Sequence, residues 1–423
     1  MPKLIVLLAS GTRGDVQPFI ALALGLQSTG YRVRVVTHAS FRSLVESRRL
    51  SFALLESNPS ELLMQPEWES ALVFSGGWGR GLRASLRFMR AARPLYARML
   101  SSAWEACRGA DGVIVGLATI WGEHIAAALK APCLYCFLQP FSRTSAFPSA
   151  LLPLRGSFGR VYNRLSHVVV EQALWQPWKS IVNRWRSHSL SLPKAPLEGY
   201  YARVYRQQAP VIYGFSSRVV PRPADWPAWH QVAGYWFLDE ATGWTPPQAL
   251  ERFLQAGAAP VYIGFGSTAR RIRSEVISLI QRALEKAGLR GVLALQGVID
   301  PQPAATETLF QIGAAPHAWL FPRMAALVHH GGAGTTAAGL RAGVPALVIP
   351  QYADQFFWGE RLAELGVGPR PIPTPALTME RFYPALEQVA SDEEMRLRAQ
   401  SLGREILAET GVQRAVEIIQ QVV

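Results

Sequence analysis

HHGGAGTT, residues 329–336, is a poor helix and a poor strand. It follows ALVHH, which reads as the end of a strand, and precedes AAGLRAG, which reads as a helix. A strand-to-helix corner rich in glycine brings backbone N–H groups close to whatever lies beyond it. The helix N-terminus adds a partial positive charge, which suits phosphate. His330 and the hydroxyls of Thr335 and Thr336 can donate to the same oxygens. On residues alone two readings stand: a diphosphate cradle, or a tight turn with His330 as a satisfied core residue. GFGS (264–267) forms a second Gly/Ser corner in the same half of the chain, within reach of the same anion.

Other uses of a glycine corner fare worse. An esterase oxyanion hole of the HGG kind needs GxSxG, and no serine here has glycine on both sides at that spacing. A Walker A loop needs a Gly-Lys pair, which the chain lacks. SGTRGD (10–15) after the first apolar run does not supply GxGxxG. Downstream, Asp354 and Gln355 follow a strand and a Pro-bounded loop, where an adjacent carboxylate and amide suit sugar hydroxyls. Upstream, WLFPR (319–323) places Trp319 four residues before Arg323 in a loop, where an indole either fills the core or stacks on a base.

The corner belongs to a pattern that occurs twice. Residues 4–38 read as apolar strand, SGTRGD corner, helix ending at Gly30, and second strand. Residues 261–297 read the same way, with the helix ending at Gly288. Continuous apolar strands imply parallel sheets covered on both faces. The chain of 423 residues therefore holds two doubly wound, Rossmann-like α/β domains rather than one. Residues 216–248 carry five Pro and four Trp. The expected division is 1–220, a stiff linker at 221–248, a second domain at 249–402, and a last helix at 403–423 that packs back on the first domain. Open sheets of this kind bind ligands beyond the carboxyl ends of their strands, so the ligands are expected in a cleft between the two facing domains.

Composition narrows the class. Apolar residues are 49% and charged residues 17%, a globular balance. No apolar run approaches the roughly 20 residues a spanning helix needs. LIVLLAS at the start reads as a buried strand rather than a signal peptide, which points to the cytoplasm. Cys133 and Cys136 form a CxxC inside an apolar run with no second ligand pair, so the reading is a core strand and no metal. The net charge of +13 sits in the first half, with seven Arg against one Glu at 80–110 and a net +8 at 151–220. Arg80, Arg83, Arg87 and Arg90 share one face of a helix. That stripe is either a solvated face or a peripheral contact with an anionic membrane surface.

The run from WLFPR through HHGGAGTTAAGLRAGVP to DQFFWGERLAELGVG closely resembles the donor-site signature of inverting GT-B glycosyltransferases. Sterol glucosyltransferases and the vancomycin-type antibiotic glycosyltransferases are the branches it resembles most. SGTRGDVQPFIALALGL, ADGVIVG, HIAAALKAPCLYCFLQP and VVPRPADWPAWHQVAGYWF are similar to the same families. The likeness weakens at about 60–105 and 150–205. It implies that Trp319 stacks on the nucleobase, that His330, Gly332, Gly334, Thr335 and Ser267 hold the diphosphate, and that Asp354 and Gln355 hold sugar hydroxyls. It implies that Asp15, in a GDVQP slot where plant relatives carry histidine, is the general base. Read without the resemblance, Asp15 is an N-cap-type residue at a helix start. Arg13 is expected to reach the diphosphate or to orient Asp15.

The implied reaction needs no cofactor and no metal, and the chain has no Asp-x-Asp. The donor is a nucleotide sugar, UDP-glucose first and a dTDP-sugar second. The acceptor is a hydrophobic alcohol such as a sterol, polyketide, carotenoid or lipid. Phe137, Gln139 and Phe141, in an aromatic-rich stretch that includes Trp175 and Trp178, are the expected acceptor contacts. Two rivals remain at this point: a nucleotide-sugar epimerase on the same fold, and a lipid-surface binding protein without catalysis.

Overall fold

The computed structural model describes residues 1–58, 78–152, 158–238, 244–266, 274–294 and 307–423, with backbone alone at 78–86, 201–202 and 274. The chain divides into two compact units, Met1–Leu238 with Thr410–Val423, and Asp239–Glu409. Ser267 and the Asp239 end of the expected linker lie outside the described residues.

The first unit is a seven-stranded parallel sheet in the order β3-β2-β1-β4-β5-β6-β7. Its strands are β1 (Leu4–Leu8), β2 (Arg32–Thr37), β3 (Ser51–Leu54), β4 (Gly112–Val115), β5 (Cys133–Phe137), β6 (Val211–Tyr213) and β7 (His230–Val232). The helices are α1 (Arg13–Ser28), α2 (Arg42–Glu46), α3 (Trp78–Cys107), α4 (Glu123–Leu129), α5 (Arg160–Trp175), α6 (Lys179–His188) and α7 (Tyr200–Gln207). Every residue of β1 is buried, as LIVLL requires of a strand with helices on both faces. α1 buries Val16, Phe19, Ile20, Leu22, Ala23 and Leu26 against it.

The second unit is a five-stranded parallel sheet in the order β10-β9-β8-β11-β12. It contains α8 (Gln248–Gln255), β8 (Val261–Gly264), α9 (Ser274–Ala287), β9 (Gly291–Ala294), β10 (Leu309–Ile312), α10 (His317–Leu320), β11 (Ala326–His329), α11 (Ala333–Ala342), β12 (Ala346–Val348), α12 (Gln355–Glu364), α13 (Met379–Ser391) and α14 (Glu393–Leu407). Its core gathers Val261, Ile263, Ile280, Leu284, Val328, Leu347, Phe382 and Leu386. In each unit the strand order reverses beside the opening strand: β1 pairs with β2 and β4, β8 with β9 and β11. The expectation of two doubly wound α/β domains is met.

Two boundaries differ from the sequence reading. Residues 221–238, expected in a linker, fold into the first unit. β7 pairs with β6 at Val211↔His230 to Tyr213↔Val232, and Trp226 stacks on Tyr213 with centroids 4.4 Å apart. The proline-rich composition marked the approach to an edge strand, where a missing N–H is tolerated. The helix expected at 403–423 is two helices. α14 ends at Leu407 in the second unit, and α15 (Gly411–Gln420) belongs to the first. α15 buries Ala415, Val416, Ile418 and Ile419 in the core under α1, and a Cβ on Gly25 of α1 would meet Val412 Cγ1 at 2.5 Å. Three buried aliphatic side chains carry roughly 5–9 kcal/mol of gross burial energy, before ordering entropy opposes it.

Candidate functional site

Asp15 stands at the third position of α1, in the corner after β1. Thr12 is the N-cap, and its backbone N–H and its hydroxyl both donate to Asp15 Oδ2, at 2.7 and 2.9 Å. A capping box of this kind satisfies an otherwise orphaned donor and fixes the carboxylate. Gly11 is required beneath it: its φ is +127°, and a Cβ there would sit 2.5 Å from Asp15 Oδ2. Oδ1 takes no hydrogen bond among the described residues. Burial raises the Asp15 pKa above 3.8, and the two Thr12 hydrogen bonds pull it back. Thr12 orients the carboxylate. Arg13 Nε donates to Gln17 Oε1 at 3.2 Å.

Two further residues meet at this edge of the sheet. His38, at the end of β2, has Nδ1 3.1 Å from the Leu55 carbonyl, which can only accept. Nδ1 therefore carries the proton, and Nε2 accepts from Ser10 Oγ at 2.8 Å. The bond ties the β1 corner to the ends of β2 and β3. Beside it lies a hollow of about 480 Å³ lined by His38, Leu54, Leu55, Asn58 and Arg98. Sequence reasoning missed His38 and Ser10, because THAS carries no spacing signal.

In the second unit three segments converge on His330. Gly331, at φ +85°, leaves no room for a side chain: a Cβ would lie 2.6 Å from Val348 Cγ1 and 2.8 Å from the Gln355 carbonyl. A Cβ on Gly332 would lie 2.5 Å from His330 Nε2, and one on Gly266 would lie 2.6 Å from His330 Cε1. The imidazole is thus walled by the glycines of both corners, at the reversal between β8 and β11. Burial pushes the His330 pKa down to about 4, so the ring is neutral at physiological pH. A neutral ring still donates one hydrogen bond. The Gly264 backbone beside the ring partly offsets the effect of burial, while Nδ1 itself is buried with no hydrogen bond of good geometry among the described residues.

His329 shapes the same turn, a role the sequence reading did not give it. Its Nδ1 accepts the Gly331 N–H at 3.0 Å, and burial holds its pKa down to about 3. The two threonines part company. Thr335 is half-buried on the first turn of α11, while Thr336 is buried at 1% exposure with its hydroxyl unpartnered among the described residues. Thr336 is buried, so of the two hydroxyls only that of Thr335 sits on a partly exposed side chain. The first N–H groups of α11, including that of Gly334, lack intrahelical acceptors by construction.

Asp354 caps α12, and Gln355 opens it. Asp354 Oδ2 accepts from Trp358 Nε1 at 3.0 Å. The buried Gln355 spends its side-chain carbonyl on the Gln351 and Tyr352 N–H groups, at 2.8 and 3.3 Å. Its amide nitrogen is the group left for a ligand. Ala353, immediately before, is held at φ +53°, local strain that re-aims the pair. Trp319 lies on the short helix α10, not in a loop. It is half-buried, with the Arg323 guanidinium 4.2 Å from its ring centroid and Trp244 at 5.1 Å.

The acceptor residues read from sequence need correction. Phe137 and Phe141 are each 2% exposed and pack on one another at 5.6 Å, with Tyr213 6.1 Å from Phe137. Trp175 is likewise buried, its Nε1 donating to the Leu197 carbonyl at 3.1 Å. Phe137 is core because β5 is a central strand covered on both faces, and Phe141 and Trp175, outside that strand, are equally buried. Gln139, just past its carboxyl end, is half-buried. Of the arginine stripe, Arg87 and Arg90 are exposed on α3, whereas the Arg80 and Arg83 side chains lie outside the described residues. Among the described residues no helix is long and apolar enough to cross a membrane.

The first 150 residues match a family model described as the glycosyltransferase family 28 N-terminal domain, over residues 5–148. Residues 306–423 match one described as the erythromycin biosynthesis protein CIII-like C-terminal domain. The sterol 3-beta-glucosyltransferase of Aspergillus fumigatus is 38% identical over 427 residues, 98% of this chain and 29% of that protein. The one from Emericella nidulans is 37% identical over 434 residues, covering 99% and 30%. The chain therefore spans about three tenths of the length of these curated relatives. Among solved structures, the glycotransferase of kitacinnamycin superposes with a TM-score of 0.71 at 18% identity, covering 100% of this chain and 99% of that one. The calicheamicin glycosyltransferase CalG4 gives 0.69 at 17% identity, covering 100% and 98%.

Proposed function

The chain belongs to the GT-B glycosyltransferases as a homologue of the sterol 3-beta-glucosyltransferases, and from that membership we propose that it moves glucose from a nucleotide diphosphate sugar to the hydroxyl of a sterol-like alcohol. UDP-glucose is the donor first in line, with a dTDP-sugar second. The observation that carries the reading is the His330 cradle, where two glycine corners, a helix N-terminus and the Gln355 loop converge.

In this reading the diphosphate lies over Gly332, Gly334 and Thr335. As the sugar–oxygen bond breaks, charge grows on the leaving diphosphate. The fixed N–H groups of α11 and the neutral His330 donate to it without reorganising. By motif match Ser267 and Arg13 are the further donors this reading assigns to the diphosphate. Trp319 offers the nucleobase the ring face that Arg323 leaves open. Gln355 donates to sugar hydroxyls through its amide Nε2, and Asp354 accepts from them. The acceptor lies in the hollow beside His38, and Gln139, past the end of β5, is a further acceptor contact assigned from the sequence. Asp15 takes the acceptor proton through Oδ1, the oxygen Thr12 leaves open. Its raised pKa improves the match between base and proton. Attack from the face opposite the nucleotide inverts the anomeric carbon, with neither a metal nor a cofactor. The protein works in the cytoplasm, with its basic first unit touching an anionic membrane face.

The test is product analysis with UDP-glucose and cholesterol or ergosterol. UDP release that depends on the sterol, with a β-glucoside as product, supports the reading. UDP-sugar converted without any acceptor supports the epimerase instead. No turnover with either donor, despite nucleotide binding, supports the non-catalytic lipid-binding alternative.

A further inference from the structure

The first unit holds a second polar cavity, of about 220 Å³, lined by Glu123, His124, Arg186, Arg203, Arg206 and Gln207, with Ala195 and Pro196 on its rim. Its lining shares no residue with the Asp15 corner, with the hollow beside His38 or with the His330 cradle.

The lining is built from donors. Arg186 is 6% exposed and fixed: Nε donates to the Pro193 carbonyl at 2.8 Å and Nη1 to His124 Nδ1 at 2.7 Å. Its Nη2 has no partner among the described residues. A guanidinium can only donate, so His124 Nδ1 is the acceptor and the proton sits on Nε2. That Nε2–H is buried with no partner among the described residues, on a side chain 2% exposed. Arg203 donates through Nε to Gln207 Oε1 at 3.3 Å, which leaves its terminal nitrogens for the cavity. The carboxylate within reach is Glu123. It forms no ion pair with either arginine among the described residues: Oε2 accepts from Tyr135 Oη at 2.6 Å, and Oε1 lies 3.3 Å from His124 Nδ1. Burial raises the Glu123 pKa to about 7, so this carboxyl gives up its charge readily when an anion approaches. Among the described residues the guanidiniums of Arg186 and Arg203 face one carboxylate, Glu123, in a space wide enough for one tetrahedral oxyanion.

We propose that this cavity binds a phosphate group, held by Arg186 and Arg203 with Arg206 at the mouth, as a ligand site separate from the nucleotide-sugar site. A planar fork of N–H donors suits phosphate oxygens. The group comes either from a soluble phosphate or from the headgroup of an anionic lipid, and both present the same oxygens.

The experiment is calorimetric titration of the full chain with inorganic phosphate in a His330→Ala background, which removes the cradle as a competing phosphate site. Saturable binding that weakens about tenfold or more in Arg203→Gln, and less in Arg206→Gln, is the expected result. Arg203 is half-buried and Arg206 exposed on α7, and matched melting points confirm that the variants fold. Equal affinity in all three proteins, or no binding of phosphate or vesicles, overturns the proposal. Vesicles of phosphatidylcholine with and without phosphatidic acid separate the sources. Co-sedimentation that requires phosphatidic acid and is lost in Arg203→Gln assigns a lipid headgroup. Phosphate binding without vesicle capture assigns a soluble phosphate. Because the background lacks His330, the outcome is independent of whether the cradle holds a nucleotide.

Discussion

The two units run the same topology through the reversal of strand order and then do opposite things with the corner. After β1 the corner carries one carboxylate, fixed by Thr12 over Gly11. After β11 it carries two neutral histidines walled by glycine. The backbone offers a helix N-terminus in both cases. In the first unit that positive end is spent on the protein's own acid, and in the second it is left for something outside. The comparison teaches that a doubly wound sheet supplies a place, and that three or four side chains decide whether the helix start there holds a carboxylate of the chain or is lined by neutral imidazoles.

The comparison can be broken most forcefully at Asp15. Asp15→Asn keeps a side-chain oxygen for the Thr12 cap but cannot take a proton. Turnover is expected to fall about 10²–10⁴-fold, while nucleotide affinity, a property of the other corner, stays unchanged by calorimetry. A second effect separates the units by pH. Glu123 has a folded pKa of about 7 against 4.5 unfolded, so its contribution is fully present below pH 4.5 and is lost as pH rises through 7. Glu123→Gln should therefore melt with wild type at pH 4.5 and gain about 3 kcal/mol over it by pH 8. His329 and His330 give the second unit the mirror-image dependence: their folded pKa values lie below 6.5, and stability is lost as pH falls.

Next comes Gly331→Ala, which meets Val348 and the Gln355 carbonyl and forces φ +85° on a residue with a side chain. Denaturant unfolding should show a loss of about 2 kcal/mol, with weakened nucleotide binding. Gly30→Ala, where a Cβ meets nothing within 4 Å, controls for backbone conformation without the clash. The smallest effect is Thr12→Ala. It removes one of the two hydrogen bonds that hold the Asp15 pKa down, so the acidic limb of the pH–rate profile should move to higher pH. The lost cap costs about 1 kcal/mol.

Much of this was legible in the sequence for a physical reason. LIVLL, VYIG and ALVH are continuous apolar runs, and only a sheet covered on both faces tolerates them. The glycine corners were legible because nothing else fits there. What escaped lacked a local signal. β7 is a three-residue edge strand among prolines, and its partner β6 is set by tertiary pairing. The break between α14 and α15 falls at Ala408–Thr410, within an unbroken helical pattern. Phe137 and Phe141 are apolar whether they line a pocket or fill a core, and a central strand chose the core. Trp319 could be read as a stacking ring, but not that Arg323 already covers one face. EHIAAAL gives no hint that Glu123 is buried beside arginines contributed from residues 186 and 203.

The central claim is that the His330 corner is a nucleotide diphosphate receptor. The most direct measurement is a thermal-shift panel of UDP, dTDP, GDP and NAD on wild type and His330→Ala. A diphosphate present at 100 times its dissociation constant should add about 2.7 kcal/mol to stability. The account expects UDP or dTDP to raise the melting point of wild type and the rise to be lost in His330→Ala. A shift with NAD alone, or no shift with any of the four, would make HHGGAGTT a structural turn and contradict the account.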